Sequence, residues 1–243
     1  MTISAADMAE VLSSAVNALF EVEVVQQESL SSIRGVCSRL RSIAKGSDDS
    51  AWAYQIPRGD PILFQYATDE DGELIQPIII AEEIGISIGE HDFPFTAWDI
   101  ALEIYYLGAE RADLAENPVD EENPFSKYVP CARWHSDLAN EDQPGPRTHL
   151  QYGGHFRGLR QYDSKLKVPR WPFYPLDLVL MSEIVAANFF EERWRELQQN
   201  RNWCEAVNKC QKLCLIPYLN RIKGVLDVST TTVLTSTWND NWT

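Results

Sequence analysis

The sequence predicts an α+β fold, with N-terminal helices, a central mostly antiparallel sheet and long C-terminal helices packed on that sheet. Three observations carry this. Apolar residues recur at helical spacing up to about Ala44, short apolar and alternating runs dominate from Trp52 to Tyr106, and helical spacing returns after Pro175. No internal repeat and no long linker divides the chain. It is therefore expected to form a single domain over 1–227, with helices in 4–46, the sheet in 50–155 and helices in 175–225. Residues 228–243, rich in Thr and Ser and ending Trp-Asn-Asp-Asn-Trp-Thr, are expected as a tail or an edge strand.

Each element has its own reason. Met8, Leu12, Ala15 and Leu19 follow steps of four, three and four, which draws one apolar stripe along a helix. A second stripe, Ile33, Val36, Cys37, Leu40 and Ile43, predicts a helix over about 26–44, stopped at Lys45-Gly46-Ser47. Strand-like runs follow at 52–56, 62–67, 74–80 and 84–88, with Glu82-Glu83 expected to separate the last two. Asp71-Gly72 between two such runs is a hairpin signal, and Pro77 points to an edge strand or a bulge. From Trp98 to Tyr106 apolar and polar residues alternate, which predicts a further strand. Residues 109–126 read as an acidic, solvated loop. Pro175 opens a long helix at about Leu176, and a last helix from about Asn202 is expected to end or kink at Pro217.

Charge is unevenly distributed. Residues 1–130 carry a net −17, 131–170 a net +3 and 171–243 a net −1, for −15 overall. Such an acidic chain is a poor non-specific nucleic-acid binder, because phosphate binding needs a cationic field. The N-terminus lacks the features of a signal peptide, no apolar run is long enough to span a bilayer, and five cysteines show no C-x-x-C spacing. A cytoplasmic protein with reduced thiols and no membrane association is expected.

The cationic stretch holds three of the chain's four histidines. As a strand, 131–137 places Arg133, His135 and Asp137 on one face, and 147–152 places Arg147, His149 and Gln151 on one face. The short turn-rich connection makes the two an antiparallel pair, so that these polar faces converge. Gly153-Gly154 then bends the chain and delivers His155, followed by Arg157 and Arg160.

Histidines and arginines in this pattern suit acid–base chemistry on an anion, because imidazoles exchange protons near neutrality while guanidinium forks hold oxygens. The expected function is hydrolysis of an anionic, phosphodiester-type substrate by a nuclease or toxin-type effector. His135, His149, His155 and Asp137 would be catalytic; Arg133, Arg147, Gln151, Arg157 and Arg160 would bind substrate. Neither a metal nor any other cofactor is expected, since neighbouring arginines oppose a cation. The carboxylates Glu82, Glu83, Glu90, Asp92, Asp99 and Glu103, with His91, form a competing candidate for divalent-cation chemistry. The alternative function is a non-catalytic acidic subunit. Its N-terminal half or aromatic tail would contact a protein partner, and its basic island would dock an acidic patch or a nucleic-acid end.

Overall fold

A computed structural model describes residues 3–46, 51–87, 93–110, 124–139, 145–153, 169–228 and 232–238. Helices α1 (Ala5–Glu21) and α2 (Gln27–Ala44) come first. Ser4 caps α1 by accepting the Asp7 N–H at 3.1 Å. The expected stripe of Met8, Leu12, Ala15 and Leu19 is buried, as are Ile33, Val36, Cys37 and Leu40 of α2.

The strands are β1 (Ala51–Ile56), β2 (Ile62–Leu63), β3 (Ala67–Thr68), β4 (Leu74–Ser87), β5 (Phe95–Glu110), β6 (Tyr128–Leu138), β7 (Thr148–Tyr152) and β8 (Trp171–Pro172). They form one sheet in the order β1-β4-β5-β6-β7-β8, with β2 and β3 also pairing β4. All its pairs are antiparallel.

Two sequence expectations change at β4. The glutamates Glu82 and Glu83 do not separate two strands; they sit at a register shift between Ala81 and Glu83 and are both exposed. An extra residue in the ladder lets both charges reach water without ending the strand. Pro77 is not on an edge, because β5 flanks it on one side and β2 and β3 on the other. Its carbonyl accepts the Phe64 N–H at 3.2 Å. The N–H it lacks would have faced the Phe64 carbonyl in return, and that carbonyl instead accepts from the Gln26 and Gln76 side-chain amides at 2.8 and 2.7 Å.

Period two sorts the sheet into two faces. Ile79, Ile84, Ile100, Leu102 and Ile104 join the helices in the main core. Each such side chain contributes about 1.5–3 kcal/mol on burial. The opposite face carries a small apolar cluster of Ile78, Ile80, Ala101 and Tyr105, and beside it the polar residues described below.

C-terminal to the sheet, the expected long helix is two. Asp177 caps α3 (Leu178–Phe189) by accepting the Leu180 N–H at 2.8 Å. The chain breaks at Phe190 (φ −138°, ψ 51°) and resumes as α4 (Glu191–Leu197). Helix α5 (Arg201–Val228) contains Pro217 and continues to Val228. The described part of the tail is a short helix, α6 (Val233–Thr237), rather than an edge strand. It docks beside β7, where the Arg147 N–H donates to the Thr237 carbonyl at 2.8 Å. Among the described residues no helix is long and apolar enough to cross a membrane.

Candidate functional site

The sheet register builds the site. β5 and β6 pair Asp99 with Asp137, Ala101 with His135, and Glu103 with Arg133. β6 and β7 pair His135 with Gln151 and Asp137 with His149. Parity therefore puts Asp99, Arg133, His135, Asp137, His149 and Gln151 on one face. Six same-face residues on three adjacent strands become neighbours without any loop being required. The hydroxyl of Ser136, one residue out of phase, instead accepts the Leu176 N–H on the helical side.

At the centre His135 Nε2 lies 2.8 Å from Asp99 Oδ1. Asp137 is next on the same face, and one ligand atom from each of Asp99, His135 and Asp137 falls within 4.8 Å of the others. Burial pushes the Asp137 carboxyl up to about 6; His135 partly offsets this and Asp99 reinforces it. On the buried side is His149. Its burial pushes the imidazole down to about 4, helped by positive charge on Arg170 and His135.

The His149 tautomer is set by its neighbour. Nδ1 lies 3.2 Å from the Pro146 carbonyl oxygen, which only accepts, so in the neutral ring Nδ1 carries the proton and Nε2 the lone pair. That Nε2 is buried without a hydrogen-bond partner among the described residues, and it stands 3.7 Å from Asp137 Oδ2. The distance is too long for a hydrogen bond, and burial drives both groups toward neutrality. We therefore read the pair as an uncharged imidazole beside a carboxyl group, not as an ion pair.

Of the arginines expected as anion clamps, Arg133 is placed differently. Arg133 Nε donates to Glu103 Oε1 at 3.1 Å, and Arg58 donates to Glu103 Oε2 at 2.8 Å. Tyr105 Oη also donates to Glu103 Oε2, at 2.8 Å. Glu103 is fully buried, and three donors compensate its desolvation. Arg147 donates to the Ala139 carbonyl at 2.6 Å.

A cleft of 550 Å³ opens beside this group, bordered by Glu82, Glu83, Asp99, Asp137 and Arg147. Two sequence candidates that competed, the histidine island and the carboxylate set of 82–103, thus meet on one surface. His155, Arg157 and Arg160, together with Glu90, His91 and Asp92, lie outside the described residues. The residue that sequence reasoning missed is Arg58, in the Pro57-Arg58-Gly59-Asp60 turn; its partner lies 45 positions away, so no local pattern signals it.

No family model, curated protein or solved structure matches the chain.

Proposed function

We propose that the polar sheet face is a hydrolytic centre acting on an anionic, phosphodiester-class bond. The observation that carries the reading is the contiguous set of Asp99, His135, Asp137 and His149, two of whose carboxylates border an open cleft. Hydrolysis requires a polarised water, a group that takes its proton and a proton for the leaving oxygen. Water oxygen bonds to phosphorus, the ester P–O bond breaks, and one proton ends on the departing alkoxide. A carboxyl raised to about 6 exchanges protons near neutral pH, which suits Asp137 to this traffic. Asp99 orients His135, and Arg147, at the cleft's edge, supplies positive charge for the substrate's oxygens. Arg133 has a structural task here, balancing Glu103.

The test is hydrolysis of bis(p-nitrophenyl) phosphate and of a single-stranded oligonucleotide by the full chain, with His135→Gln beside it. The variant should lose about 10²–10⁴-fold in rate while keeping its melting temperature. No hydrolysis by the native chain, or equal rates in the two proteins, overturns the reading.

A second reading, a subunit that works by binding a partner, is favoured by one separate observation. Ile216, Leu219 and Leu226 on α5 are 41, 54 and 66% exposed, and their spacing sets them along one stripe of the helix. An apolar stripe left exposed by the described residues is common at contact surfaces. Stable co-purification of a second protein, lost in Leu219→Glu/Leu226→Glu, would support it; a monodisperse monomer from native lysate would count against it.

A further inference from the structure

The geometry points to a divalent transition-metal site formed by Asp99, His135 and Asp137, with His149 facing it from the buried side. This deepens the hydrolytic reading by naming what the centre holds, and it departs from the sequence expectation of metal-free chemistry.

Donor type and spacing come first. Three ligand atoms within 4.8 Å of one another bracket the separation of about 3.4 Å between donors that each lie about 2.1 Å from a tetrahedral ion. The pair at 2.8 Å, His135 Nε2 and Asp99 Oδ1, would open by roughly half an ångström as a cation replaces the proton between them. The side chains of Asp99, His135 and Asp137 are 30, 14 and 17% exposed. A bound ion would therefore keep an open face toward the cleft, the arrangement in which a metal retains water for chemistry.

His149 supplies the independent observation. A buried imidazole nitrogen with a lone pair and no donor costs free energy, and this one is aimed at Asp137. Its other nitrogen is held by the Pro146 carbonyl, the type of outer contact that fixes ligating histidines in metal centres. Imidazole nitrogens with carboxylate oxygens select ions of the Zn²⁺, Mn²⁺ and Fe²⁺ kind over Ca²⁺ or Mg²⁺.

Electrostatics agrees. The sequence objection was that arginines repel a cation. Arg133 and Arg58 instead close around Glu103, while Glu82, Glu83, Asp99 and Asp137 border the cleft. Arg170 also faces Asp137 and His149, but a phosphodiester approaching four carboxylates needs positive charge beyond Arg147 and Arg170. A divalent ion provides it, and also acidifies its bound water.

The experiment is titration of the chelator-stripped full chain with Co²⁺, read by visible absorption and by calorimetry, followed by competition with Zn²⁺ and Mn²⁺. One equivalent should bind, with the spectrum of nitrogen and oxygen ligation and no thiolate charge-transfer band. Asp137→Asn and His135→Gln should each weaken binding at least about tenfold, and His149→Gln about 10-fold through the buried side. A native far-ultraviolet circular dichroism spectrum and a cooperative melt in each variant separate lost ligation from lost folding. No binding, a thiolate band, or the native chain's affinity retained in Asp137→Asn and His135→Gln overturns the metal site. Hydrolysis that persists undiminished in chelator also overturns it and leaves the hydrolytic reading standing. Site-specific binding without hydrolysis does the reverse.

Discussion

Glu103 offers the sharpest test of how this sheet face is held together. Its carboxylate is fully buried and accepts from Arg133, Arg58 and Tyr105. Glu103→Leu removes the negative charge and leaves Arg133, itself only 8% exposed, without its partner. Breaking a buried pair in this way costs about 3–5 kcal/mol. For a chain of this size that is roughly a 6–20 °C fall in melting temperature. Arg58, 30% exposed at its side chain, can turn to water, so Arg133 dominates the loss. Replacing both charges, in Glu103→Leu/Arg133→Met, should recover most of it, because two apolar groups of similar volume carry no desolvation penalty. The assay is urea denaturation of the native chain, both single variants and the double variant. A coupling of at least about 1 kcal/mol between the two sites is expected. A Glu103→Leu loss below about 1 kcal/mol, or losses that simply add, would refute the claim that the pair is buried and mutually dependent.

Three further outcomes follow from the same geometry. In chelator, Asp137→Asn should make the protein progressively less stable as pH falls from 6.5 toward 4. There the unfolded state protonates His149 while the folded state, with its pKa near 4, does not, a loss of about 3 kcal/mol. His149→Gln should do the opposite: folded Asp137 takes its proton near pH 6, before the unfolded chain does, so acid stabilises by about 3 kcal/mol down to its ordinary value near 4. The groups facing this pair, Asp99, His135 and Arg170, remain in both variants, so the two pH–stability curves should diverge; parallel curves would contradict the assigned environments. Trp98→Phe should cost about 1–3 kcal/mol in urea denaturation, because it strips the donor from the buried Leu176 carbonyl that Trp98 Nε1 reaches at 3.1 Å; a silent substitution would show that bond to be dispensable.

Legibility in the sequence tracked the range of the interaction. The α1 stripe and the Asp71-Gly72 turn are local, and both were readable; Gly72 has φ 83° and closes the β3–β4 hairpin. The common face of Arg133, His135 and Asp137 is equally local, because side chains alternate in any strand. What parity cannot provide is the neighbour across the ladder. Asp99 meets His135 only through the β5–β6 register, and Arg58 meets Glu103 through a turn folding over the sheet. Glu82-Glu83 misled because paired charges normally end a strand, whereas a bulge let this strand carry them. The burial of His149 was also invisible, since a polar strand face is usually solvated.

The central claim is that Asp99, His135, Asp137 and His149 act as one centre. Nitrogen-15 NMR of the histidine rings, before and after one equivalent of diamagnetic Zn²⁺, addresses it most directly. Before the metal, His149 should be neutral with its proton on Nδ1 at pH 7. On addition, Nε2 of His135 should shift to a metal-bound position, Nε2 of His149 should respond with it, and Asp137→Asn should abolish both changes. Unmoved His135 and His149 resonances with the metal bound would contradict the account.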